Sequence, residues 1–193
     1  MVVNSSGSDL DQLIEEQVTY YRAVADEFDD LLFPFPGGEE LVSALDDFKA
    51  TGDVLELACG PGSWTSRLVA DAATVTAIDS SPEMLAIAKT RVKDSQVRWV
   101  QADLFGWKPD RRYDVVFFGA WLSHVPLERF DSFWSTVGES LVDHGRVFFV
   151  DDSYRTQILG SNRWHDRPAP DSSVQAEISG TGRAGLLNLA LAE

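Results

Sequence analysis

Cysteine is almost absent from this chain: Cys59 is the only one among 193 residues. A lone thiol excludes an internal disulfide and a thiolate zinc cluster. Positive charge is scarce too, with 16 Lys and Arg against 31 Asp and Glu and a formal net charge of −15. Nucleic acid is held chiefly by cations that neutralise its phosphates, so this balance argues against it. No basic patch offsets the deficit, because the densest stretch, Lys108 to Arg112, is broken by Asp110. Anionic membranes are disfavoured for the same reason, and the acidic surplus is read as serving solubility. Long apolar runs are missing. The best, Val115 to Leu122, falls far short of the ~20 residues that cross a bilayer and reads as a buried strand and its exit. Met1 to Ser6 lacks the basic-then-apolar order of a secretory signal. No set of His and carboxylates has metal-ligand spacing. The expectation is a cytoplasmic protein with no metal, no nucleic acid and no membrane partner.

What is present is the material of one folded domain. Apolar residues make up 44% and charged residues 24%, near the averages for a soluble globular chain, and the length supports one core but not two. Residues 1–8 are small and polar and are expected to be disordered. From Asp9 to Phe28, apolar residues recur at helical spacing through Leu10, Leu13, Ile14, Val18, Tyr21, Val24, Ala25 and Phe28. Phe33 to Gly38, rich in Pro and Gly, is read as a loop, and Glu39 to Phe48 as a second helix. These elements form an N-terminal helical part over residues 9–50.

Over residues 51–152 strands then alternate with helices. Strands are predicted at Asp53–Ala58, Thr74–Asp79, Val97–Val100, Tyr113–Phe118 and Arg146–Asp151, the last preceded by a turn at His144 and Gly145. Helices are predicted at Ser63–Asp71, Pro82–Val92 and Leu127–Leu141. Strands joined through helices imply right-handed crossovers and a parallel sheet. Their near-continuous apolar character implies a sheet covered on both faces. The fold class is therefore a doubly wound, mostly parallel, Rossmann-like α/β domain with N-terminal helices. Residues 153–193 form an atypical tail: a polar loop over Arg155–Pro170, an alternating strand over Ser173–Ser179, a turn at Gly180–Gly182, and a last strand or short helix over Leu186–Ala192.

The first strand runs directly into Cys59-Gly60-Pro61-Gly62. Open α/β sheets bind ligands at the carboxyl ends of their strands. Glycines there let backbone approach a ligand, and the next helix offers unpaired N–H groups. Asp79 closes the second strand about 20 residues later, where a carboxylate can accept from both hydroxyls of a ribose. These features specify a ligand containing a nucleoside. The dinucleotide fingerprint requires a third glycine where this chain has Thr65, and no Gly-Lys-Ser/Thr follows to make a phosphate-binding P-loop.

Val54-Leu55-Glu56-Leu57-Ala58-Cys59-Gly60-Pro61-Gly62 resembles the first motif of the class I S-adenosylmethionine-dependent methyltransferases. The resemblance spans roughly residues 20–152 and continues through Ala77-Ile78-Asp79-Ser80-Ser81-Pro82-Glu83-Met84-Leu85, Gln101-Ala102-Asp103-Leu104 and Tyr113-Asp114-Val115-Val116-Phe117-Phe118. It implies a domain that binds S-adenosylmethionine and methylates a small-molecule acceptor. By the same resemblance Glu56 and the backbone of Ala58, Cys59, Gly60 and Gly62 would hold the methionine part. Asp79 would bind the ribose, with Ser80 and Met84 near the adenosine. Asp103 would accept from the adenine amino group, with Leu104 against the ring. Gly119 and Ala120 would line the methionine side, and Tyr20 and Tyr21 lie where many members close the site with an N-terminal helix. Two departures stand out. Ala58 replaces the commoner first glycine. The tail matches poorly the sixth strand, helix and antiparallel seventh strand with which members finish; Val174-Gln175 and Gly182-Arg183 fit a hairpin that Ala184 to Leu187 continue badly.

His124, just after the fourth strand, is the candidate base for an acceptor that must lose a proton; a free imidazole titrates near ~6.5, which suits the task. Its alternative is a histidine that orders the loop or packs beside the ligand. His144 reads as structural, and His165 lies in the polar loop. Trp64, Trp121 and Trp164 either frame an aromatic acceptor or pack the core and lid. Glu56 either touches ligand or caps backbone amides. Asp151 and Asp152 end the fifth strand, within reach of an acceptor or as caps of the next turn. Cys59 is read as a small buried residue without chemistry. The competing function is a non-catalytic S-adenosylmethionine-binding or partner-binding module with a degenerate acceptor half, which measured turnover would eliminate. Oligomeric state is open, and an incomplete sheet edge would favour a homodimer.

Overall fold

A computed structural model of the chain describes residues 6–23, 38–151 and 184–187. Two N-terminal helices, α1 (Ser6–Ala23) and α2 (Gly38–Phe48), precede the sheet. Then follow β1 (Gly52–Leu57), α3 (Thr65–Leu68), β2 (Ala72–Asp79), α4 (Pro82–Arg91), β3 (Val97–Gln101), β4 (Tyr113–Gly119), a 3-10 turn (Leu122–His124), α5 (Leu127–Glu139), β5 (Leu141–Val150) and β6 (Ala184–Leu187). The sheet runs β3-β2-β1-β4-β5-β6. Its first five strands are mutually parallel, and β6 is antiparallel to β5. Strand order reverses beside β1, so the ends of β1 and β4 flank the crevice where such folds bind ligands.

Alternation along the strands divides the core in two. Val54, Val75, Val115, Phe117 and Phe148 face Leu41 and Leu45 of α2, Leu68 of α3 and Leu85 of α4. Leu55, Leu57, Ile78, Val116, Phe118 and Val147 face Phe133 and Val137 of α5. Both faces are thus covered, as the unbroken apolar strands require. Glu56 lies on the first of these faces and is the one charged residue buried within β1. Among the described residues no helix is long and apolar enough to cross a membrane, and no group of three or more His, Cys, Asp or Glu is placed to hold a metal ion.

Several boundaries differ from the sequence reading, four of them by more than a residue or two or in kind. α1 begins at Ser6, inside the segment expected to be disordered. The helix after the glycine loop is α-helical only over Thr65–Leu68; the winding tightens at its end, with Ala70 and Asp71 N–H groups bonding three residues back. β5 starts at Leu141, and the expected turn at His144 and Gly145 is a bulge inside that strand, where the register with β4 shifts and His144 takes φ +63°. Ala184–Leu187, judged a poor continuation of the tail, forms the edge strand paired with Val147–Val150. Trp164, His165, Asp152 and the proposed strand at Ser173–Ser179 lie outside the described residues.

Candidate cofactor site

The loop after β1 is built on three left-handed residues, Ala58 at φ +53°, Gly60 at +52° and Gly62 at +80°. The two glycines serve different ends. A Cβ added to Gly60 would meet nothing within 4 Å, whereas one on Gly62 would stand 3.0 Å from Ala88 Cβ of α4. Gly62 therefore lets α4 pack closely, and Gly60 leaves open space on the ligand side. Asp79 fixes the loop: its Oδ2 accepts the Gly60 N–H at 2.8 Å and its Oδ1 accepts the Ser81 N–H at 2.8 Å. Ser81 in turn caps α4, its Oγ accepting the Met84 N–H at 3.1 Å, with Pro82 in the first helical turn. Arg91, at the far end of α4, donates to the Pro61 carbonyl at 2.9 Å and to Ser63 Oγ at 2.7 Å. That support was not foreseen from the sequence.

Glu56 lies beneath the loop. It is 1% exposed and accepts a 2.5 Å hydrogen bond from Thr65 Oγ1. Burial pushes its carboxyl up to about 8, aided by the charge of Asp79 and opposed by the Thr65 hydrogen bond. Burial also raises Asp79, against backbone N–H bonds that lower it. Thr65, which breaks the dinucleotide pattern, thus ties the loop to the strand. Neither Glu56 nor Gly62 lies on the cavity wall; both sit behind it.

The other expected contacts converge on one cavity of about 130 Å³. Ala58, Cys59 and Gly60 form one wall, Asp79, Ser80 and Met84 a second, and Asp103 and Leu104 a third. Asp103 Oδ1 accepts the Phe105 N–H at 3.0 Å, which holds that turn beside β3. Gly119 and Ala120 close the β4 side. Ala120, at φ +52°, is pinned by its N–H to the Val150 carbonyl at 2.7 Å. A Cβ on Gly119 would come within 2.6 Å of Trp64 Nε1, so the indole occupies the room that glycine leaves. Trp64 also packs against Phe117, with ring centroids 5.5 Å apart. The Cys59 thiol is buried, and burial pushes its pKa up, which keeps it protonated.

α1 forms the cover. Ile14, Gln17, Val18 and Tyr21 share its inward face and line the cavity. Tyr21 meets His124 across it, Oη to Nε2 at 2.9 Å, with the rings edge-to-face. Burial, then the charges of Tyr20 and Asp151, pushes the Tyr21 hydroxyl up to about 12, so it stays protonated at neutral pH. Exposed ion pairs hold α1 at both ends, Asp11 with Arg129 at 3.4 Å and Arg22 with Glu83 at 3.4 Å. Tyr20, by contrast, is 54% exposed. Trp121 packs beside Phe105, with ring centroids 5.8 Å apart. His144 lies in the β5 bulge, off the cavity wall. Gln17 and Phe105 were not named from sequence, and Ile14 and Val18 were named only as part of the apolar stripe of the helix. The signal for Gln17 was its place one turn before Tyr21, a polar residue on the apolar face.

This arrangement, a left-handed glycine loop bound to a carboxylate at the end of the next strand, defines a nucleoside-binding α/β domain. A methyltransferase-domain family model matches residues 54–145. The structure superposes on the DhpI–SAH complex with TM-score 0.69 and 37% identity, covering 92% of this chain and 80% of that one. The DhpI–SAM–HEP complex gives TM-score 0.70 and 38% identity, covering 92% and 82%. Trans-aconitate 2-methyltransferase of Escherichia coli O139:H28 is 41% identical over 75 residues, which is 38% of this chain and 29% of that protein. The match therefore spans under a third of that enzyme's length. The chain belongs to the class I S-adenosylmethionine-dependent methyltransferases, whose cofactor is S-adenosylmethionine. The residues present fit that cofactor: Gly60 leaves open space before the loop, and the Asp79 carboxylate stands beside it.

Proposed function

We propose that this chain transfers the methyl group of S-adenosylmethionine to a small-molecule acceptor in the cavity beneath α1. The observation that carries the reading is the Asp79 bridge, a carboxylate bonded to the open Gly60 loop on the cavity wall. Each of its oxygens keeps a lone pair for a ribose hydroxyl. Asp103 and Leu104 would hold the adenine, and Ser80 and Met84 the rest of the adenosine. Ala58, Cys59, Gly60, Gly119 and Ala120 would line the methionine part, with Glu56 and Gly62 supporting the loop from behind. When bound, the cofactor supplies an activated methyl group on a sulfonium, already a good leaving group. The chain has then to hold the acceptor in line and shut out water. An acceptor hydroxyl or thiol must also lose its proton, and we assign that proton to His124. Tyr21 Oη, whose hydroxyl stays protonated, stands 2.9 Å from His124 Nε2 and fixes the orientation of the ring in the cavity. The reading takes the acceptor as soluble and the location as cytoplasmic.

Calorimetry should show S-adenosylhomocysteine binding, with Asp79→Ala weakening it by about 1–3 kcal/mol, as for a lost charge-assisted hydrogen bond. Unchanged affinity in that variant would put the ribose elsewhere. Trans-aconitate, named for the E. coli relative, is the first acceptor to assay. With an acceptor that carries a hydroxyl or thiol, His124→Ala should lower kcat more than it changes KM, whereas a carboxylate acceptor, already ionised, should show no such dependence.

A further inference from the structure

α1 and the turn after β4 meet across the cavity through two pairs of side chains. Gln17 and Tyr21 are one turn apart on the same face of α1. Trp121 and His124 bracket the 3-10 turn. All four line the cavity. Tyr21 and His124 are joined to each other at 2.9 Å. Gln17 Nε2 and Trp121 Nε1 are buried and have no hydrogen-bond partner, and Gln17 as a whole is only 6% exposed. Buried N–H groups are rarely left unmatched, because each costs a desolvation that nothing returns. Two on one cavity surface point to a ligand that brings the missing acceptors.

The chemistry of that ligand follows from the type of the two groups. An indole N–H and an amide NH₂ both donate, so the group that meets them must accept. A hydroxyl would bring a proton that needs its own acceptor, and an ammonium has no lone pair to offer. A carbonyl oxygen also accepts, but a carboxylate offers two oxygens with up to four lone-pair sites, one oxygen for each donor, and its charge strengthens both bonds. Gln17 lies one helical turn, about 5.4 Å along the axis, from the Tyr21–His124 contact. That is the span of a few bonds between a carboxylate and a nearby reacting atom.

We propose that Gln17 Nε2 and Trp121 Nε1 form a subsite for a carboxylate of the methyl acceptor, and that seating it there turns the atom to be methylated toward His124. This rests on the methyltransferase reading above. The cofactor also carries a carboxylate, at its methionine end, so the experiment must separate the two sources. The full chain, labelled with ¹⁵N and saturated with S-adenosylhomocysteine, is titrated with malonate. The Trp121 indole signal is identified by its loss in Trp121→Phe. The expected result is a saturable downfield shift of that proton that requires malonate. Gln17→Met should weaken malonate binding about tenfold, leave the affinity for S-adenosylhomocysteine unchanged, and not lower Tm, since it removes an unmatched donor. A shift already complete with S-adenosylhomocysteine alone would give the donors to the cofactor and overturn the proposal. So would a signal that malonate does not move, or a Gln17→Met variant that binds malonate as the wild type does. The methyltransferase reading fails by a different sign, the absence of S-adenosylhomocysteine binding in calorimetry.

Discussion

Gly119 and Gly60 both lack a side chain on the cavity wall, yet adding one should have opposite emphasis. At Gly119 a methyl group would fall 2.6 Å from Trp64 Nε1. Gly119→Ala must therefore push the indole from its seat beside Phe117, and overpacking of this kind costs about 1–3 kcal/mol. Urea unfolding should show that loss, and calorimetry a parallel loss of cofactor affinity. At Gly60 nothing in the protein lies within 4 Å, but φ is +52°. Gly60→Val should cost about 1–2 kcal/mol of backbone strain while abolishing measurable S-adenosylhomocysteine binding, because the side chain enters the ligand's space. A Gly60→Val protein that binds normally would refute this placement of the cofactor. The placement of Gly60 and Asp79 on the cavity wall could be read from sequence because it depends on backbone conformation and strand ends, which local motifs encode. Gln17 could not. A periodicity argument counts a lone polar residue on an apolar face as noise, and its meaning emerges only when Trp121 is seen on the same wall.

Among the elements, α1 is held partly by contacts that solvent reaches. Its inward stripe is short, and Asp11–Arg129 and Arg22–Glu83 are exposed pairs worth about 0.2–1 kcal/mol each. Salt screens such pairs. Raising the ionic strength should speed S-adenosylhomocysteine dissociation a few-fold in stopped-flow measurements, and the double variant Asp11→Ala, Arg22→Ala should dissociate faster from the outset and lose that salt dependence. A dissociation rate indifferent to both changes would mean that α1 is held by its apolar stripe alone. The family resemblance put this helix beside the site, and its inward face does line the cavity, but its start was misjudged, because small polar residues at a terminus read as disorder when no packing partner is visible. The bulge in β5 was hidden for a related reason. His144 and Gly145 have the composition of a turn, and only pairing with β4 shows that the strand continues through them.

At the scale of the whole molecule, the order of strands and helices was legible because the central strands are rich in apolar residues and three of the four parallel crossovers carry a helix, β3 joining β4 without one. The antiparallel edge strand was not, since its four residues gain their conformation from pairing with β5 and not from their own pattern. Burying Glu56 in this sheet has a global consequence. Its carboxyl holds a proton to about 8 in the folded chain, against a usual value of 4.5. Between those limits the folded state keeps a proton that the unfolded chain has released, so stability falls as pH rises through the window. Glu56→Gln retains an acceptor for Thr65 and should flatten that slope, leaving the variant with the higher urea midpoint at pH 8. Equal slopes for variant and wild type would mean that Glu56 does not titrate there. The Tyr21–His124 bond joins residues 103 positions apart, one on the cover and one on the floor. On the proposed reading of His124 as the base, the residue that orients it thus belongs to a different element, and the ring keeps its aim only while α1 is seated. Cover and proposed base are in this sense one device built from two distant stretches of sequence.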